Sequence, residues 1–306
     1  MIRLVLCLLA LCLLASESPA AEAGRVHFAY LQSYDGDQPR DPDWGGCVFL
    51  GAYENGRFTA PPEEFRTDTP TPDWWYSDID RRLDAIAQWR ATLNRVLDGF
   101  PQGKALFGVD PQGHSIAATA RSVEREPGEA LDSLKVHLET KTLRSVPVLL
   151  ATADLPLRVL KQDTAALDPE LDATLRKKAP ELMAIHGTRE GNSLGKPKAT
   201  RVEGAPEYLT VVYPSLWDEN GDGKLVERGS YFFLYHVPDK RIVRADFGHP
   251  EWSDDSMVLT VVPEIFFRVA DRPEVYFAGA SETGWEDPSS KGLFELATGR
   301  ELMRCH

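Results

Sequence analysis

The stretch Tyr208-Leu-Thr-Val-Val-Tyr-Pro-Ser-Leu-Trp-Asp-Glu-Asn-Gly-Asp-Gly-Lys224 decides how this chain is read. Its first part, Tyr208 to Trp217, is rich in β-branched and aromatic residues and reads as a strand. Ser230 to Val237 reads as a second strand on the far side. Between them Asp218, Asn220 and Asp222 put oxygen-bearing side chains at alternate positions, and Gly223 follows. That is the first half of a calcium-binding loop, D-x-N-x-D-G. Calcium takes about six to eight oxygens, so a curling backbone that aims three side chains inward makes a good start. Gly223 supplies the bend that brings in the Lys224 carbonyl as a fourth ligand, and Leu225 is expected to anchor the loop in the core.

The second half of the motif departs from a helix–loop–helix site. Its twelfth position, where a bidentate glutamate belongs, is Gly229, and its ninth is Val226. Glu227 comes next and is the expected substitute, reached through a bulge; Asp254 or Asp255 are the remote alternatives. An incomplete shell predicts weak binding, on the order of 10⁻⁴ to 10⁻³ M. The competing reading is a plain polar turn built on Asn220-Gly221 and Asp222-Gly223, which leaves Asp218 without a role.

The same residues resemble the calcium loops of FG-GAP and VCBS-type repeats, which are β-propeller blade modules. Asp218, Asn220 and Asp222 match the first three liganding positions, and Val226 departs at the fourth. The likeness spans about Tyr208 to Leu302. It implies a β-sheet module with a structural calcium rather than an enzyme.

Working outward, Arg241 to Phe247, Met257 to Val269, Val275 to Gly279 and Leu293 to Leu296 read as further strands. Pro263-Glu-Ile-Phe-Phe267 recurs as Pro273-Glu-Val-Tyr-Phe277, which predicts two successive strands with equivalent faces. Upstream, Val26 to Leu31 is a short strand, and Glu54-Asn55-Gly56 is a hairpin turn between apolar runs. Ser77 to Leu97 predicts a long helix, capped by Ser77 or Asp78, with Ile79, Leu83, Ile86, Leu93 and Leu97 on its apolar face. Asp168 to Ile185 predicts a second helix, kinked or divided by Pro180. The expected fold class is therefore α+β. An N-terminal mixed module with one long helix (21–200) precedes a C-terminal antiparallel β module (201–306).

Residues 1–20 read as a secretory signal peptide. Arg3 precedes the apolar run Leu4 to Ala15, and small residues follow. That run is too short to span a bilayer, and no transmembrane segment is expected elsewhere. A lipoprotein-like Cys12 is the weaker alternative. The expected location is periplasmic or secreted, where calcium is available. Removal of the leader leaves Cys47 and Cys305, which an oxidising compartment would join in a disulfide.

The formal net charge is −13. Between Asp246 and Asp287 ten acidic residues face only Arg268 and Arg272. That balance argues against nucleic acid as a partner and suits a cation or a basic protein. Other chemistry is sparse. Gly191-Asn-Ser193-Leu-Gly195 matches G-x-S-x-G without its strand–turn–helix setting. The histidines share no zinc-binding spacing. Trp74-Trp75-Tyr76 is either an aromatic platform or the lead-in to the helix. The leading expectation is an exported, soluble, non-enzymatic binding or interaction protein with one weak structural Ca2+ and an unidentified protein or envelope partner. A periplasmic inhibitor of the immunity type and a cell-envelope hydrolase using Glu264 or Glu274 are the alternatives.

Overall fold

The computed structural model describes residues 26–31, 44–49, 51–59, 77–100, 103–126, 133–139, 147–185, 192–218, 223–248, 261–281 and 291–305. Within them the chain forms strands β1 (Phe28–Leu31) and β2 (Trp44–Val48), then the small hairpin β3 (Ala52–Glu54) and β4 (Arg57–Thr59). Helix α1 (Ile79–Gly99) follows, and then β5 (Ala105–Val109), β6 (Ser115–Glu126), β7 (Ser133–Glu139) and β8 (Val148–Ala151). Six of these strands close a barrel in the order β1-β2-β7-β6-β5-β8. Closure occurs where β8 returns to β1, with Phe28 opposite Ala151 and Leu31 opposite Val148. A closed barrel leaves no edge with unpaired backbone groups.

Alternation along each strand sets the barrel's two faces. Ala29, Leu106, Ile116, Ala118, Ala120, Leu134, Val136, Leu138, Val148 and Leu150 form its core. Helix α1 adds Trp89, Leu93, Val96 and Phe100 to the same core. Its N-cap is Asp78, whose carboxylate accepts from the Arg81 amide at 3.0 Å. The buried stripe is Ala85, Trp89, Leu93 and Val96 with Leu97 partly buried beside it, so the expected face holds at Leu93 and Leu97 but not at its N-terminal end. Ile79 and Leu83 stand 62% and 55% exposed. Trp89 outcompetes them because a buried indole removes far more apolar surface from water.

The second half begins with β9 (Leu157–Val159) and β10 (Gln162–Thr164). Helix α2 (Pro169–Ile185) and β11 (Asn192–Leu194) come next, then β12 (Lys198–Val202), β13 (Ala205–Asp218), β14 (Leu225–His236) and β15 (Arg241–Gly248). The last strands are β16 (Val261–Val269), β17 (Tyr276–Ser281), β18 (Lys291–Glu295) and β19 (Glu301–Cys305). One sheet runs β10-β12-β13-β14-β15 with β11 added beside β13, and a second runs β19-β18-β17-β16-β9. Hydrogen bonding is continuous across residue 200, because β12 pairs with both β10 and β13.

These layers stack. The outer wall of the barrel, through Phe28, Tyr30, Leu149 and Ala151, packs on Ile265, Phe267, Val269, Tyr276 and Met303 of the five-stranded sheet. The opposite face of that sheet carries Phe266, Phe277 and Phe294 against Phe232 and Leu234 of the other sheet. The far face of that second sheet, with Val211, Tyr213, Tyr231 and Phe233, is covered by Leu175 and Ala179 of α2. Both sheets are buried on two faces, which explains continuous apolar runs such as Tyr231-Phe-Phe-Leu234.

Three sequence expectations are corrected by this architecture. The fold class is not α+β with a mixed N-terminal module. The chain is mostly antiparallel β, and its two described helices cover a barrel and a sheet face. One long helix beside short strands suggests a mixed module, but those strands close on themselves into a barrel that the helix packs against. The recurring pentapeptides do not present equivalent faces. Phe266 partners Phe277 and Phe267 partners Tyr276, so a ten-residue offset puts matching positions on opposite sides. Pro180 neither divides nor ends α2, which runs unbroken through it. It lies on the exposed side, where a lost i→i−4 bond costs least.

Candidate functional site

Strands β13 and β14 form a long hairpin whose tip carries the acidic loop. Asp218 is the last residue of β13 and partners Leu225, the first of β14, so residues 219–224 make the connection. Gly223 has φ +81° with open space around the position of a Cβ. That left-handed conformation is the bend the motif assigns to glycine. Lys224 is exposed, and so is Leu225 at 49%, which corrects its expected role as a core anchor. Asn220 and Asp222 lie outside the described residues, as do the side chains of Asp218 and Glu227. Asp254 and Asp255 also lie outside them.

The hairpin contains a β-bulge. Pro214 pairs with Ser230, but Leu216 pairs with Glu227, so β14 carries one extra residue. Gly229 sits in that bulge at φ +81°. An extra residue reverses the alternation beyond it. As a result Asp218, Leu216, Leu225 and Glu227 occupy register positions on one face of the hairpin. Asp218 and Glu227 are diagonal neighbours across it, positions about 7–8 Å apart between Cα atoms. Gly229 thus belongs to a strand irregularity, and the loop's flanks are strands on both sides. A helix–loop–helix geometry is excluded. Among the described residues no group of three or more His, Cys, Asp or Glu side chains is arranged to hold a metal.

The other candidates lie elsewhere in the fold. Ser193 lies on β11, paired with Leu216, and the residues after it run into strand β12. No helix follows it, so a nucleophile elbow is not formed. Glu264 sits at a second bulge, between Pro263 and Ile265 of β16, and its carboxylate accepts a hydrogen bond from the buried Tyr30 hydroxyl. Burial first, and then the Glu264 carboxylate, push the Tyr30 phenol well above its usual value. Glu274 is exposed in the connection beyond the other end of β16. From Glu264 to Val269 the strand covers about 16 Å. A glycosidase pair needs about 5–9.5 Å, so these glutamates do not form one. Cys47 lies on β2 opposite Tyr30, and Cys305 on β19 opposite Lys291; their side chains are outside the described residues.

Two polar centres escaped the sequence reading. In the β5–β6 turn, the fully buried Asp110 accepts from the amides of Gln112 (3.0 Å) and His114 (2.8 Å) and bonds His114 Nδ1 at 2.9 Å. Burial pushes its pKa up, but these bonds outweigh it and hold the carboxyl below its usual value. A Pro-Gly turn can be read from Asp110-Pro-Gln-Gly113 itself, but the burial of its first side chain cannot. In the first turn of α2, Asp172 accepts from the Tyr213 hydroxyl at 2.7 Å and from Arg176 Nε at 3.0 and 3.1 Å. Arg176 also donates to the carbonyls of Leu194 and Gly195 and lies over the Tyr213 ring. Asp172 and Tyr213 are 41 residues apart, so only the packing of α2 on β13 brings them together.

No family model, curated protein or solved structure matches the chain. The candidate site therefore rests on its own residues. No described helix is long and apolar enough to cross a membrane.

Proposed function

We propose that the chain is an exported, non-enzymatic binding protein whose β13–β14 hairpin tip is fixed by one weakly held calcium ion. The ligands are the side chains of Asp218, Asn220, Asp222 and Glu227 and the carbonyl of Lys224. The register of the hairpin supports this most. With the bulge at Gly229, the register positions of Asp218 and Glu227, one on each strand beside the loop, fall on one face of the hairpin. That answers the weakness of the motif, whose ninth position is Val226. Bound calcium would join the two strand ends and stiffen the hairpin tip, which suits a partner-binding edge more than a catalytic centre. The resemblance to FG-GAP and VCBS-type loops points the same way. The acidic stretch from Asp246 to Asp287 favours a basic partner.

Titration calorimetry on the full chain tests the metal. One calcium per chain with a dissociation constant on the order of 10⁻⁴ to 10⁻³ M is expected, with heat lost in Asp222→Ala. Undiminished heat in that variant overturns the ligand set. The oxidising compartment also favours a Cys47–Cys305 disulfide, which an intact mass two hydrogens below the reduced chain would report.

A further inference from the structure

Among the described residues, strand β10 is the terminal strand of the six-stranded sheet and pairs on one side only, with β12. Gln162, Asp163 and Thr164 are all exposed. The register tells which backbone groups face outward. The Ala165 amide bonds the Ala199 carbonyl, and the Glu203 amide bonds the Lys161 carbonyl. Hydrogen-bonded rungs in an antiparallel pair alternate, so Lys161, Asp163 and Ala165 spend their backbone groups on β12. The amides and carbonyls of Gln162 and Thr164 therefore point to the open edge. An open cleft of about 580 Å³ runs beside it, lined by Asp163, Thr164, Ala166, Arg201, Glu203 and Pro206 among others.

We infer that the β10 edge accepts an extended strand from a partner protein, with a lysine or arginine opposite Asp163. Resting on the non-enzymatic binding reading above, this gives the partner's chemistry. A strand added at this edge bonds the backbone of Gln162 and Thr164, and its central residue faces Asp163 across a non-hydrogen-bonded rung. There the Cα atoms are closest, about 4.5 Å apart, and side chains meet most directly. At the cleft Asp163 and Glu203 face their register partners Arg201 and Lys161, so the charge a guest meets first is that of Asp163 at the edge itself, on a chain of net charge −13. A cationic guest is the complementary one. The same residue guards the edge against a second copy, since antiparallel pairing of two β10 strands about Asp163 sets carboxylate against carboxylate. Backbone addition supplies the affinity and the cleft the selectivity, as in other strand-addition complexes.

The test uses the full chain and a fluorescent seven-residue peptide, alternating threonine and valine around a central lysine, followed by anisotropy with and without EDTA. The lysine peptide is expected to bind with a dissociation constant on the order of 10⁻⁴ M. A central glutamate should weaken it about five- to tenfold, and Asp163→Lys should reverse that preference. N-methylation of the two peptide amides that face β10 should abolish binding without touching the protein. Thr164→Pro, which removes only an outward amide, should do the same if its circular dichroism is unchanged. Absence of binding at 1 mM peptide overturns the inference, as does equal binding of the N-methylated peptide. Sedimentation of a dimer dispersed by Thr164→Pro would assign the edge to a second copy instead, and would also overturn it. Calcium is not required for peptide binding, so either result leaves the hairpin site to its own test.

Discussion

Replacing Phe277 by alanine should cost about 4–5 kcal/mol. Phe277 is fully buried between the two sheets and stacks on Phe294 at 4.9 Å with planes 13° apart. Its ring also meets Phe266 at 5.7 Å and Phe232 at 6.2 Å. A buried phenylalanine truncated to alanine loses about 3–5 kcal/mol, part of it from the cavity left behind. Aromatic pairs add about 0.5–1.5 kcal/mol beyond area burial. The upper end is expected because rings from both sheets surround the site and neither β sheet collapses readily. Phe277→Leu, which keeps most of the volume, should cost well under half as much. Urea denaturation at 25 °C followed by tryptophan fluorescence measures both. A double-mutant cycle with Phe232→Ala, whose ring comes from the other sheet, should show coupling, because the two rings share one cavity. If Phe277→Ala costs less than about 1.5 kcal/mol, or the pair is additive, the two sheets do not pack face to face here.

Other perturbations follow from the same contacts. Asp110→Ala should cost about 2–3 kcal/mol at neutral pH, since it strips a buried acceptor from the Gln112 and His114 amides. The Asp110 pKa is depressed in the fold, so its contribution is present above the unfolded value near 4 and is lost as pH falls through the folded one. Wild-type and variant denaturation curves should therefore converge in acid; a constant gap would refute the assignment. Tyr213→Phe should cost about 1 kcal/mol and raise the Asp172 pKa, readable by NMR titration, because the hydroxyl supports that carboxylate. Gly108→Ala should cost about 2 kcal/mol or more, since a Cβ there would stand 2.4 Å from the Leu149 carbonyl oxygen in the barrel wall; an unchanged urea midpoint would contradict that closeness.

How far the sequence carried is clearest in particular residues. Asn55-Gly56 and the β13–β14 flanks were legible because turn dipeptides and alternating apolar residues act locally, and both hairpins form. The cap at Asp78 was legible for the same reason. Barrel closure was not, because the β1–β8 pairing joins strands more than a hundred residues apart, and nothing in either strand names the other. At the start of the helix the face differs from expectation because Ala85-Trp89-Leu93-Val96 and Ile79-Leu83-Ile86 both recur at helical spacing, and packing chose the stripe with the larger ring. Asp218 and Glu227 are both readable as ligands in the sequence, but the one-residue slip that aligns their positions depends on a bulge that becomes visible only as register.

The central claim is that the hairpin tip holds calcium, and the melting temperature of the full chain in 10 mM calcium against 10 mM magnesium tests it most directly. With a dissociation constant on the order of 10⁻⁴ to 10⁻³ M, linkage adds about 1.4–2.7 kcal/mol at that concentration. A rise of about 3–6 °C in calcium, absent in magnesium and absent in Asp222→Ala, is the result the account predicts. No rise, or the same rise in Asp222→Ala, would contradict it.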